Sequence, residues 1–286
     1  MKIMPVYLGQ LFNSDKDYGL ACGGDDVYFV VPSDSDYHME LIKVINIDRM
    51  RIPPYFRVYS VDFPFRVFLH EESISDIGAY NLITQQVEPF ATIYPSHYFG
   101  SEISVSQDRT VLAASSLYFF LFSQSGELKN YCHQDGCSML KFQPPLPAYF
   151  VWESPGSFPS SISASTGAFV IGGKPINAIF KYSYTGRLIL SLDGFYSTSR
   201  YFRFQDEELQ RVRIDNANRI WASTSERLYV FSPNGEPIKY WSNSELMLGK
   251  NPVNLFGWFG IDSHGRLWIY GQPEQTSIPF GAFELF

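Results

Sequence analysis

The sequence predicts an all-β chain, a six-bladed β-propeller of four-stranded blades whose ring is closed by an N-terminal strand joining the last blade. Three observations carry this expectation. Gly260–Ile269 (GIDSHGRLWI) aligns without a gap on Arg213–Ala222 (RIDNANRIWA), setting Asp262 on Asp215 and Trp268 on Trp221. A second marker, aromatic-Ser-x-x-Gly, recurs in the same order at Phe122–Gly126, Tyr182–Gly186 and Phe231–Gly235. Looser copies of the first marker give columns at residues 22, 62, 106, 163, 215 and 262, spaced by 40 to 57 residues. A four-stranded blade takes about 40–50 residues, and radial repetition protects its sheet edges.

The unit around Asp215 parses most cleanly. Val212–Asp215 is a short strand, and Asn216–Asn218 is turn chemistry, in which Asn and Asp side chains bond nearby backbone amides. Arg219–Ser223 and Arg227–Phe231 are β-branched and aromatic runs of strand length. Ser232–Gly235 is a hairpin turn with Gly at the positive φ, and Glu236–Trp241 is the outer strand.

In chain order, residues 2–12 are the closing strand, built on the run Met4–Phe12 (MPVYLGQLF). The blades follow at 13–48, 55–90, 97–131, 149–192, 208–241 and 254–286, making residues 1–286 one domain. The first blade rests on Leu20–Phe29 with Cys22 in the column, the second on Ser60–Leu69 with Asp62, the third on Ser104–Ala113 with Ser106. The fourth fits at Ser163 with a slip of one residue. Helical periodicity is nearly absent: Asp206–Arg211 has the length of a single turn, and Met39–Ile47 fits either period. A solenoid, the competing architecture, needs capping repeats, and the apolar end at Phe286 argues against it.

Composition narrows the function classes. Aromatic residues make up 17% of the 286, as expected where blades pack face to face. A formal net charge of −7 argues against bulk attraction to nucleic acid or anionic membrane. No apolar run reaches the roughly 18 residues of a membrane span. The N-terminal run carries a Pro, a Gln and no small-residue cleavage site, and no Asn-x-Ser/Thr sequon is present, which points to a cytoplasmic location.

The three cysteines form no disulfide framework. Cys132 and Cys137 share one loop with His133 and Asp135, but no second ligand pair follows to complete a zinc site. No metal and no cofactor are expected, a divalent ion being the one exception considered. The three column aspartates (Asp62, Asp215, Asp262) are read as turn residues bonding their own backbone rather than as converging carboxylates.

An inner strand ending in Asp, a polar turn, Arg-Leu/Ile-Trp and then aromatic-Ser-x-x-Gly resembles the NHL-repeat and SMP-30/gluconolactonase-like six-bladed propellers. That resemblance implies a divalent metal held at the channel mouth by a Glu, Asn side chains and an Asp. Four residues upstream of the column, the corresponding ring here reads Tyr18, Val58, Glu102, Pro159, Arg211 and Trp258. Glu102 is the one metal ligand in it, and Arg211 would repel a cation, so metal hydrolase activity does not carry over.

Polar residues occupy one parity of the first strands (Ser60, Ser104, Ser161, Arg213) and apolar residues the other (Val61, Val105, Ile162, Ile214), so the polar side can face the channel. The connections between blades are long, and long loops on a rigid scaffold tend to carry function. Asp48–Arg57 (DRMRIPPYFR) and Ser199–Gln205 (SRYFRFQ) interleave Arg with aromatics, a composition suited to stacking and bidentate recognition. Acidic Asp206, Glu207 and Glu208 dilute the second patch, which disfavours RNA.

Gly-x-Ser-x-Gly, His-Glu-x-x-His, P-loop and dinucleotide fingerprints are missing. His70 and His97 fall in loops of the same face, where either has a pKa range suited to proton transfer. The expected ligand-binding residues are therefore Tyr18, Arg57, His97, Glu102, Arg200, Tyr201, Arg203, Arg211 and Trp258. The expected function is binding of a small polar or carbohydrate-like ligand, or of a protein partner, at this loop face and the channel mouth. The alternative is an enzyme, a hydrolase or lyase of the SMP-30-like or strictosidine-synthase-like kind.

Overall fold

The computed structural model describes residues 12–13, 17–23, 26–32, 39–46, 56–62, 66–71, 76–81, 84, 86–92, 103–106, 108–114, 118–133, 161–173, 177–192, 204, 207–248, 251–252, 259–261, 267–270 and 280–283. These form strands and turns, with no helix among them. The first sheet holds β1 (Phe12–Asn13), β2 (Asp17–Gly23), β3 (Asp26–Pro32) and β4 (Met39–Asn46). The second holds β5 (Phe56–Asp62), β6 (Arg66–Glu71), β7 (Asp76–Asn81) and β8 (Gln86–Thr92). The third holds β9 (Ile103–Val105), β10 (Val111–Ala114), β11 (Tyr118–Phe122) and β12 (Leu128–His133). The fourth holds β13 (Ser161–Ser165), β14 (Ala168–Gly173), β15 (Ala178–Ser183) and β16 (Leu188–Leu192). The fifth holds β17 (Leu209–Ile214), β18 (Ile220–Thr224), β19 (Arg227–Phe231) and β20 (Pro237–Ser242). A ribbon of β21 (Met247–Leu248) and β22 (Asn251–Pro252) precedes the sixth sheet, β23 (Phe259–Ile261), β24 (Leu267–Tyr270) and β25 (Phe280–Phe283).

Every sheet is an antiparallel meander in which sequence neighbours pair, and among the described residues five sheets have four strands and the sixth has three. Met39–Asn46 is strand, and residues 209–211, the end of the helical-turn candidate Asp206–Arg211, belong to strand Leu209–Ile214. The first sheet begins with an extra two-residue edge, Phe12 and Asn13 paired with Tyr18 and Asp17. Strand β2 lies against β5 as β5 lies against β9, so Leu20–Phe29 spans the hairpin expected of the repeat, with Cys22 on β2. Residues 2–11 of the expected closing strand lie outside the described residues, and Phe12 belongs to the first sheet.

The hairpin markers have a common geometry. Ser123, Ser183 and Ser232 each donate a backbone N–H to the carbonyl four residues on, at 2.8–2.9 Å. Their hydroxyls accept the N–H of Glu127, Arg187 and Glu236 at 3.0–3.2 Å. Gly126, Gly186 and Gly235 take φ of 85°, 79° and 80°, and the ladder shifts register beside each turn, the signature of a glycine bulge. These turns butt against the preceding sheet. A Cβ on Gly126 would lie 1.9 Å from the Phe90 carbonyl oxygen of β8, and one on Gly235 2.7 Å from Leu190 of β16.

Alternation of period two divides each central strand between two interfaces. Phe169 and Ile171 of β14 pack with Leu112, Phe119 and Leu121 of the third sheet, while Ala168 and Val170 pack with Val212, Ile220 and Phe231 of the fifth. Trp221, Leu228, Val230 and Trp241 then face Phe259 and Leu267 of the sixth. Each buried large apolar side chain stabilises the stack by about 1.5–3 kcal/mol. Trp221 and Trp241 stack with centroids 6.2 Å apart and planes 7° from parallel. The outermost strands carry the exposed apolar residues, Leu128, Ile189, Ile238 and Tyr240.

Candidate functional site

First strands are bound to one another through the polar parity. The Ser104 hydroxyl accepts the Ala164 N–H at 2.9 Å, and the Ser163 hydroxyl accepts the Ile214 N–H at 3.1 Å. Ser163 is thus level with Ser104 and Arg213, two residues from its sequence alignment with Asp215, because the β13–β14 turn at Thr166-Gly167 is tighter than those after β9 and β17. In the fifth sheet the same position is Arg213. Its Nη1 donates to the carbonyls of Ile162 (3.4 Å) and Val212 (2.9 Å), and its guanidinium lies 5.9 Å from the Phe259 ring centroid.

In the repeat column, Asp215 is structural, while Asp62 ends β5 opposite Arg66. Asp215 accepts from Arg219 N–H (2.9 Å), Arg219 Nε (2.7 Å) and Trp221 Nε1 (2.9 Å), which clips the β17–β18 hairpin shut. Asn218 takes φ 60° in that turn, and Arg109 takes φ 61° at the matching place in the third sheet. There Ser106 and Asp108 together do the same work, both accepting from the Thr110 N–H. At this end too, the Lys181 ammonium donates to the carbonyls of Asn218 (3.2 Å) and Pro233 (3.3 Å), tying the fourth sheet to two turns of the fifth. Burial lowers the Lys181 pKa below its ordinary range, partly offset by the charge of Asp215. Tyr184 bonds the Ser165 carbonyl at 2.5 Å, and burial raises its pKa.

The opposite end, where the chain enters β17, is built differently. Glu207 is buried, binds the Arg227 guanidinium and accepts from the Thr224 hydroxyl, so the connection into the sheet is locked to the β18–β19 turn. Asn177 of the fourth sheet brackets the same segment, donating to the Glu207 carbonyl (3.0 Å) and accepting the Leu209 N–H (2.7 Å). Arg211 sits half-buried just inside this end, opposite Ser223 in the ladder. In the sequence Glu207 is one of three acidic residues that dilute the Arg-rich segment, and nothing local marks it as buried. Its pairing with Thr224 and Arg227 spans 17 and 20 residues, a separation with no local signature.

Three predicted ligand residues lie on described backbone. Arg57 and Arg211 both stand near the start of a first strand, the entry end of their sheets. His70, expected in a loop, is a strand residue directly opposite Arg57. Tyr18 stands near the start of β2, opposite Phe12, in the same relation to its sheet as Arg57 and Arg211 to theirs. His97, Glu102, Arg200, Tyr201, Arg203 and Trp258 lie outside the described residues, as do Asp135 and Cys137. Among the described residues, no group of three or more His, Cys, Asp or Glu could hold a metal ion. No described helix is long and apolar enough to cross a membrane.

No family model and no curated protein sequence matches the chain. Solved structures do. A catalytically inactive virginiamycin B lyase from Staphylococcus aureus, solved with quinupristin, superposes with a TM-score of 0.52 at 11% identity, over 94% of this chain and 79% of that one. The fold is a β-propeller. A gluconolactonase from Xanthomonas campestris gives 0.52 at 12% identity, over 94% and 84%. A chain of the mitotic checkpoint complex gives 0.52 at 11% identity, over 100% and 89%. At such identities the propeller architecture is shared and the chemistry of these proteins is not implied.

Proposed function

We propose that this propeller is a binding scaffold, six-bladed and NHL-like, that holds a small polar or carbohydrate-like ligand, or a protein partner, on its inter-blade loop face and channel mouth. One observation carries the reading. At the entry end of the fifth sheet, buried Glu207 ties the incoming loop to Thr224 and Arg227 and leaves Arg211 half-buried beside it. Glu207 fixes the point at which the chain enters the sheet, and a loop anchored there would lose less entropy on recognition. The Arg and aromatic residues of the connections, Arg57, Arg200, Tyr201 and Arg203, would supply the contact surface, with His97, Glu102 and Trp258 around the mouth. Residues 2–11 would close the ring as the fourth strand of the sixth sheet, and the protein would work in the cytoplasm.

A screen of sugars and small polar metabolites by thermal shift tests this reading. A saturable hit whose affinity falls in the triple variant Arg200→Ala/Tyr201→Ala/Arg203→Ala supports it. Hits indifferent to that variant and to Arg57→Ala would overturn the loop face as the site. Likeness to a lyase and a gluconolactonase favours a second reading, an enzyme working at the channel mouth. Native mass spectrometry before and after EDTA separates the two. A mass excess stripped by chelation would favour the metal-dependent enzyme, with Glu102 tested first.

A further inference from the structure

We propose that the face of the fifth sheet turned toward the sixth carries an oxyanion subsite, formed by the Arg211 guanidinium and the Ser223 hydroxyl, that takes the carboxylate or phosphate group of a small acidic ligand. The proposal rests on the loop-face reading and gives it a ligand chemistry.

Register places the groups. Arg211 pairs with Ser223, Arg213 with Trp221, and Ser223 with Leu228. Directly opposed residues share a face, with Cβ atoms about 4.5–5.5 Å apart. Trp221 and Leu228 pack toward Phe259 and Leu267, so Arg211, Arg213 and Ser223 look the same way. Residues 211 and 213, two apart on one strand, stand roughly 6.5 Å from each other. This face of β17 therefore carries two guanidinium groups, where the first strands of the third and fourth sheets carry serines bonded to the next strand.

The second observation is independent of charge. Ser223 is fully buried, and its hydroxyl has no hydrogen-bond partner among the described residues. A buried polar group without a partner is costly, and a bound oxygen relieves that cost. Beside an arginine, the group that suits both is an oxyanion: the hydroxyl donates to one oxygen while the guanidinium offers its planar fork. Asp215, on the same strand face, is engaged by Arg219 and Trp221 at the far end of the hairpin. Of these residues Arg211 lies nearest the entry end of the sheet, the end from which a ligand would approach.

Isothermal titration of the full chain with sodium citrate and with sodium phosphate, at fixed ionic strength and neutral pH, tests the proposal. Saturable binding of one probe is expected, with at least a tenfold loss of affinity in Arg211→Ala and a smaller loss in Arg211→Lys. Ser223→Ala is expected to weaken binding severalfold without lowering the melting midpoint, which separates a ligand role from a packing role. Citrate without phosphate assigns a carboxylate ligand, and the reverse a phosphate ester. No saturable binding of either probe, or equal affinity in Arg211→Ala, overturns the subsite. If a neutral sugar then binds through Arg200, Tyr201 and Arg203, the loop-face reading stands alone; if nothing binds, both fall.

Discussion

At the scale of single residues, Asp215 shows how little of a repeat column need be functional. Its carboxylate holds three donors within one hairpin, so Asp215→Ala strands the buried Trp221 indole N–H and frees the Arg219 side chain. We expect a loss of about 3 kcal/mol, read as a fall in the urea midpoint at constant slope, with Asp215→Asn recovering part of it. Equal stability of the alanine variant would mean the clip is ornamental. That a turn aspartate bonds its own backbone was readable from sequence, because the reason is local. Glu207 was not, because its partners are brought near only by the fold. Lys181 is a residue of the same kind. Burial lowers its pKa, so below that value folding holds a charge the interior disfavours. Between the lowered value and the ordinary 10.5 the unfolded chain binds more protons, and stability gained from this group rises with pH. Subtracting the stability–pH curve of Lys181→Met from that of the wild type should leave a positive slope just below pH 10.5. A flat difference would show that the ammonium is not desolvated.

At the scale of elements, the aromatic-Ser-x-x-Gly turns were the most legible feature, since a glycine at positive φ and a serine accepting the N–H four residues on are both written locally. How firmly each glycine is required depends on neighbours the sequence does not show. Gly167→Ala meets nothing within 4 Å and costs only the left-handed backbone, about 1–2 kcal/mol. Gly235→Ala adds an overlap with the flexible end of Leu190, whereas Gly126→Ala drives a methyl into a backbone carbonyl. The expected order of destabilisation is Gly126, Gly235, Gly167, the first by at least about 3 kcal/mol. Chemical denaturation of the three variants checks it, and a reversed order would mean the sheets are not in the contact described. Strand position within a sheet was harder to read. Leu20–Phe29 reads as strand, turn and strand in any position of a meander, and period-two alternation does not say which hairpin it is. The fold decides it by laying β2 against β5, while the short edge of Phe12 and Asn13 has no counterpart in the repeat. Tyr18, Arg57 and Arg211, all read from the repeats, stand near the starts of β2, β5 and β17.

For the whole molecule, the three apolar clusters join the third sheet to the fourth, the fourth to the fifth and the fifth to the sixth, so each sheet gives one face to each neighbour. A stack so coupled should unfold as one unit. Substitutions in distant sheets, Gly126→Ala in the third and Asp215→Ala in the fifth, should shift a single transition by nearly additive amounts. The proposed ring closure makes a sharper claim. The sixth sheet pairs β23 with β24 and β24 with β25, leaving β25 with one edge unpaired among the described strands. An exposed edge strand is a template for pairing with another chain, and closure by residues 2–11 would cover it. Deleting residues 2–11 should then lower the urea midpoint and produce concentration-dependent association by light scattering, because the freed edge seeks a partner. A truncated chain that is as stable as the intact one, and keeps its mass on dilution and concentration, would refute closure by that segment and leave the sixth sheet to end on three strands.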